Sequence, residues 1–439
     1  MSEWWDSNCA RVLYKMTSFE VMEEIKNKYV EAIWESLKAF IENINCLYDS
    51  FEYSENMLRS QKIDAQKEYN AFLKSLTVRP GDGPAKLVIP AGKEKQHQHL
   101  ERKVKRSQES SRLLQRSYIV SMVSQFDAYI GDLLRTIYEI NPDKLRQSDH
   151  KFNYAELQAI GSIEAAKEQI VDNKIEAILR DSHQDQIKEI ASSIGVGTLK
   201  EFDNWPCFVE ITQRRNLFVH SNGIVSKQYL SICKSEKVEL GELKKGDQLE
   251  VDRSYFNKAY EVFYEVAVKL SQMTMRVLLY KKDKSCLEDV DKCMITNTFD
   301  LIVDERYDVA IELANFALNE QFTHSNKDRM YLVLNRAQAY KWKGDEKKCQ
   351  ELLNAEDFTA CSSELKCPKF ALEDNLDKVC EMMRSSGKDS EILKPEQYRT
   401  WPIFKGMRDK DKFKETFKSI FGEDLEPEVE AAEVPAAEE

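Results

Sequence analysis

From Thr17 to Leu76 apolar side chains return at every third or fourth position, through Phe19, Met22, Ile25, Tyr29, Ile33, Leu37, Phe40, Ile41, Ile44 and Leu47. No glycine or proline interrupts them. A strand would need a period of two; this period lays one apolar stripe along a helix. Thr17 and Glu20 stand at the capping-box spacing near its start. The run breaks at Pro80-Gly81-Asp82-Gly83-Pro84, which reads as a flexible loop reaching Gly92. In 439 residues there are only 14 Gly and 10 Pro, too few turn formers for an all-β design. The expected class is all-α, with two or three domains.

A second long helix is expected from Lys93 to Asn141-Pro142, charged in its first half and apolar on one face in its second. Shorter helices follow over Ile163–Leu179, Gln184–Ile194, Cys207–His220 and Asp252–Leu279, and Val238–Val251 alternates like a short hairpin. Beyond Cys293 the texture becomes repetitive. The segment Asp304–Leu318, with Ala310 and Ala317 at small-residue positions, resembles the second helix of a tetratricopeptide repeat. Arg336–Asp345 resembles the first helix and turn of the next copy, and Cys349 stands where alanine is usual. A weaker copy lies near Asn375–Met383, and the loop Gln321–Asp328 accounts for a repeat longer than about 34 residues. Phe413–Phe421 supplies a capping helix. These features divide the chain into an N-terminal helical arm and loop (1–92), a central domain (93–282), a repeat domain (283–422) and an acidic disordered tail (423–439).

The net charge of −12 is unevenly spread. The tail from Glu423 carries eight acids and no base, which leaves −4 elsewhere. A globally acidic protein gains no long-range steering toward nucleic acid, so any RNA site must rest on local basic groups. The ten cysteines include no C-x-x-C pair, and the N-terminus carries Trp4, Trp5 and Asp6 rather than a basic-then-apolar leader. Reduced thiols in a cytoplasmic protein are expected. No apolar run approaches the ~20 residues of a membrane span.

The chemistry concentrates in Arg214-Arg215-Asn216-Leu217-Phe218-Val219-His220. Metal-free RNA cleavage needs a base for the 2′-hydroxyl proton, an acid for the departing 5′-oxygen and a cation for the charge at phosphorus. Histidine suits the first two roles and the planar arginine fork the third. Asn216 and His220 are four apart and share a helix face; Arg215 and His220 are five apart and do not. That angle is bridged either by the long arginine side chain or by two copies of the motif meeting across a two-fold axis. Ser221-Asn222-Gly223 then stops the helix.

An arginine–histidine spacing alone is a weak signal; the adjacent asparagine, the apolar filling and the helical surroundings sharpen it. The run Arg215–Gly223 resembles the R-x4–6-H signature of the HEPN ribonucleases, in particular their RiboL-PSP-like branch. The similarity extends over about Leu113–Leu279, with Ser121–Leu134 resembling the opening helix and Lys244–Asp252 the closing segment. The resemblance implies an α-helical bundle, a dimer whose paired motifs form one cleft, and metal-independent endoribonuclease activity without a cofactor. It implies His220 as acid/base, Arg215 as phosphate binder and Asn216 as positioner, with Arg214 a second cation and Asp127 an orienting partner. A regulated toxin or antiviral effector is the expected setting, with RNA as substrate and a protein partner on the repeat domain. The alternative is an inactive scaffold that dimerises and recruits. His97 and His99 sit two apart with no acidic or cysteine cluster, so no metal site is assigned. Ala91-Gly92-Lys93 lacks the remaining phosphate-loop residues. Lys93–Arg106, with six Lys or Arg, reads as a solvated face able to touch an RNA backbone.

Overall fold

The structure is a computed structural model that describes residues 25–79, 86–147, 152–199 and 202–425. The Thr17–Glu20 capping box, the Pro80–Pro84 loop and all but the start of the acidic tail lie outside them. The described residues form sixteen α-helices and one short antiparallel hairpin, so the chain is all-α. Two compact units result. One runs from Ala32 to Leu278; the other holds Leu279 onward together with the described residues before Ala32.

The first helix, α1 (Lys28–Lys74), is followed by the hairpin β1 (Thr77–Arg79) and β2 (Lys86–Val88), and then by α2 (Glu94–Ile140). The division expected at residue 92 does not match this organisation. The α1 stripe is not an independent arm along its whole length: Ile33, Leu37, Phe40 and Ile44 are buried in the central unit. Phe40 meets Phe126 of α2 edge-on at 5.8 Å and Tyr129 at 5.3 Å. Burying such a side chain is worth about 1.5–3 kcal/mol, which ties α1 to the unit. The central unit ends at Leu278.

Against α2 pack α4 (Ile163–Arg180), α5 (His183–Ile194), α6 (Trp205–His220) and α8 (Arg253–Met273), while α3 (Tyr154–Ile160) packs on α4 and α7 (Lys227–Ser235) on α6. Phe126, Phe208 and Phe263 form the aromatic centre, with ring centroids 5.0–5.6 Å apart in edge-on pairs. Val238–Val251 is not a hairpin. Its backbone pairs instead with the turn after α6: Val225 N–H donates to Asp247 O, Leu249 N–H to Gly223 O and Gly246 N–H to Val225 O. Gly241 and Gly246 take positive φ, which breaks the alternating run into turns.

The second unit holds α9 (Leu287–Val303), α10 (Tyr307–Ala317), α11 (Asn326–Lys343), α12 (Glu346–Asn354), α13 (Ser363–Leu372), α14 (Leu376–Ser386), α15 (Pro395–Thr400) and α16 (Asp411–Phe421). Helices stand where the repeat pattern placed them. Ala310, Ala317 and Cys349 are buried at the small-residue positions, and Gly344, at φ +97°, ends α11. The Gln321–Asp328 insertion is fastened by His324, whose Nδ1 lies 2.8 Å from Asp291 Oδ1 and Nε2 2.7 Å from Ala317 O. Phe413 and Phe417 of α16 pack edge-on against Tyr398.

Candidate active site

Helix α6 carries the motif. Pro206 in its first turn fits a helix start, where no N–H is needed. Phe208, Val209, Ile211 and Thr212 are buried, so one face of the helix is fixed in the core. The C-terminus closes as its residues predict: Asn222 and Gly223 adopt φ +49° and +76°, and the N–H groups of Ser221 and Gly223 both donate to Leu217 O at 2.9 Å. A Cβ on Gly223 would sit 2.8 Å from Gln248 Nε2. Buried Arg116 of α2 clamps this turn. It donates to Asn222 O (3.0 Å), Asn222 Oδ1 (2.9 Å) and Leu249 O (3.0 Å).

The two arginines of the motif part company. Arg214 is held in a buried polar cluster between α6, α7 and α8. Its Nε donates to Glu210 Oε1 at 2.7 Å, its Nη1 to Glu250 O at 3.0 Å, and its guanidinium lies 3.9 Å over the Tyr255 ring. Glu210 also accepts the hydroxyls of Tyr229 and Tyr255, at 2.5 and 2.7 Å. Burial works against the Arg214 charge, but Tyr255 and Glu210 outweigh it and raise its pKa. Burial and the neighbouring Glu210 carboxylate push both tyrosines up, and burial pushes the Cys233 thiol up to about 12. The resemblance implied a second cation at Arg214; here its Nε, its Nη1 and one face of its guanidinium are engaged by Glu210, the Glu250 carbonyl and Tyr255.

Arg215 faces the other way, into a cleft of about 580 Å³ that it shares with Asn216, His220, Asp127 of α2, His183 of α5 and Tyr229 of α7. Its Nη1 donates to Asn216 Oδ1 at 3.2 Å, and its Nη2 lies 3.7 Å from Asp127 Oδ2. The other Asp127 oxygen is 3.0 Å from His183 Nε2. Asp127 therefore bridges Arg215 and His183. His220 stands exposed at the rim. The spacing argument had set Arg215 and His220 on different helix faces; the cleft is wide enough to be lined by both.

Three buried atoms here complete no hydrogen bond: Asp127 Oδ1, His183 Nε2 and Arg215 Nε. The first two are in contact range but misaligned. They are each other's ion-pair partner, which leaves Arg215 Nε as the one of the three without any partner; a buried polar atom in that state costs about 1–3 kcal/mol. All three residues line the same concavity.

His183 escaped the sequence reading. Its position was visible in part: Ser182 caps α5, accepting from Asp185 N–H, and makes His183 the first helical residue. Nothing local says that it meets Asp127, 56 positions upstream in the chain. Phe208 lies edge-on to its ring at 6.3 Å. Among the described residues no group of three or more His, Cys, Asp or Glu is arranged to hold a metal ion. His97 instead hydrogen-bonds Tyr69 at 3.1 Å. No family model, curated protein or solved structure matches this chain.

Proposed function

We propose that the protein is a HEPN-type, metal-independent endoribonuclease whose active site is the Arg215–His220 cleft. The observation that supports it most is the gathering of Arg215, Asn216, His220, Asp127 and His183 around one cavity, with the buried Arg215 Nε lacking a hydrogen-bond partner. Arg215 binds the scissile phosphate. One histidine takes the 2′-hydroxyl proton as the 2′-oxygen bonds to phosphorus. The other donates a proton to the 5′-oxygen as the P–O5′ bond breaks. The products are a 2′,3′-cyclic phosphate and a 5′-hydroxyl. Asn216 holds the Arg215 fork and Asp127 orients His183.

With His183 in the cleft, one chain supplies both proton-transfer groups. A homodimer, the expectation from the resemblance, would place two such clefts side by side rather than complete one. The resemblance also carries the biological setting, a regulated toxin or antiviral effector in the cytoplasm. In the repeat unit a cavity of about 460 Å³ walled by Phe299, Tyr331 and Trp401 is the proposed seat for a regulatory protein partner. Among the described residues no helix is long and apolar enough to cross a membrane.

One observation favours the scaffold alternative: Asp127 already neutralises Arg215. Incubation of the full chain with RNA in EDTA decides between them. Cleavage abolished by His220→Ala and by Arg215→Ala is expected, with cyclic-phosphate ends. Cleavage that requires magnesium or survives both substitutions refutes the mechanism.

A further inference from the structure

The segment from Arg59 to Arg106 holds twelve Lys or Arg against five Asp or Glu, a balance of +7 in a chain whose net charge is −12. The rest of the protein therefore stands at −19, so this positive excess is a local departure rather than a reflection of overall composition. It falls on the distal half of the α1–α2 pair. The two helices run antiparallel along their length, as their cross-links show: Asn43 with Gln125, Ser54 with Tyr118, Glu68 with Lys103 and Tyr69 with His97.

A single seam holds the distal half together. Phe51, Leu58, Ala65 and Phe72 are buried at intervals of seven, the spacing of a two-helix coiled seam. Phe72, Leu76 and Leu100, with Tyr69, Leu73 and Ile89, form a small core of their own at the tip. Every other face is left to solvent. Arg59, Lys62 and Lys67 on α1 and Lys93, Lys95 and Arg106 on α2 are exposed. None of these six forms an ion pair among the described residues. At 1.5 Å per residue the helices carry this charge about 30 Å beyond Ser54.

We propose that this paired-helix arm is a docking surface for the phosphate backbone of RNA, separate from the cleft. Exposed Lys and Arg side chains without ion pairs, set on a narrow rod, suit a sequence-independent polyanion, because each contact releases condensed counterions. Acids are present on the arm, but Glu68 and Glu101 are taken up by Lys103 and Lys105, so the bases left over exceed the acids left over. The arm also reaches the cleft through one continuous element: α2 carries both Arg106 and Asp127. Those two lie 21 residues apart, about 32 Å, or about nine stacked nucleotides at 3.4 Å each. A long substrate can engage both, a very short one cannot. That the polyanion is RNA rests on the ribonuclease reading of the cleft; the binding itself does not.

The test is fluorescence anisotropy on the full chain carrying His220→Ala, with unstructured RNA probes of about 30 and about 4 nucleotides. A second protein adds Lys62→Gln, Lys67→Gln, Lys95→Gln and Arg106→Gln, all at exposed positions, and an unchanged melting temperature verifies its fold. For the long probe the four substitutions are expected to weaken binding at least about tenfold at 0.1 M salt. They should also flatten the log Kd against log salt slope by about 3. The short probe should bind both proteins within about twofold, and a single-stranded DNA of about 30 nucleotides should behave as the long RNA does. An unchanged slope on the long probe overturns the proposal, as does an equal loss on both probes. Polyglutamate binding the arm more tightly than RNA overturns it too, in favour of a protein-docking surface. Failure of the cleft would show differently, as RNA cleavage that survives His220→Ala while the arm still binds.

Discussion

Two polar clusters flank helix α6, built from consecutive arginines, and they are opposites. On one side Arg214, Glu210, Tyr229 and Tyr255 satisfy one another in a closed set of short contacts. On the other, Arg215, Asp127 and His183 approach at 3.0–3.7 Å as ion pairs but leave three buried atoms without a completed hydrogen bond. A satisfied buried network fixes structure. An unsatisfied one keeps interaction capacity in reserve for something that arrives later. The contrast teaches that neighbouring residues of one type, in one motif, divide between a closed framework and the proposed active site according to which side of the helix they leave from.

The sharpest way to break this comparison is to remove each arginine in turn. Arg215→Ala and His220→Ala are expected to lower kcat/KM for RNA by about 10³-fold, roughly 4 kcal/mol of barrier, with little change in melting temperature. Arg214→Ala should do the reverse. It strands the Glu210 carboxylate in a buried site, and loss of one partner of such a pair costs about 3–5 kcal/mol. Urea denaturation and a cleavage assay on the same preparations read both quantities. Two variants with matching losses of stability and rate would erase the distinction.

His183 tests the unsatisfied side with a smaller effect. Its replacement by alanine or glutamine should lower kcat about 10–100-fold and remove one limb of the pH–rate profile. Glutamine retains polarity and hydrogen-bonding capacity but moves no proton. Full activity in His183→Gln would demote this histidine to a packing residue on Phe208.

The sequence made some of this legible and hid the rest for physical reasons. Helix limits were readable because period and punctuation are local: α2 ends at Ile140, next to Asn141-Pro142, and α6 ends at His220, before two residues of positive φ. Arg215, Asn216 and His220 were readable because they share one helix. The partnership of Asp127 with His183 was not, since two separate helices must pack before those side chains meet. The fate of Arg214 was equally hidden, because Tyr255 and the Glu250 carbonyl reach it from 36 or more positions away. Val238–Val251 misled because its alternating residues pair with the turn after α6 rather than with each other.

The smallest expected effect belongs to the satisfied cluster and emerges only in alkali. Cys233 is buried beside Tyr229 and Glu210, and burial lifts its thiol from the usual 9 to about 12. A folded-state pKa raised in this way means the native state prefers the protonated thiol. Its contribution is complete below pH 9, where both states are protonated, and is lost as pH rises from 9 toward 12. At pH 10 the loss is about 1 kcal/mol. Tyr229 and Tyr255 act in the same direction from about pH 10 upward, since their pKa values are also raised. Urea midpoints at pH 8 and pH 10 should therefore fall further for the native chain than for Cys233→Ala, whose ordinary packing cost is the same at both values. Parallel declines would show that this thiol is not part of the closed network. A steeper decline in the native chain alone would locate alkaline sensitivity on the framework side of α6, apart from the residues assigned to chemistry.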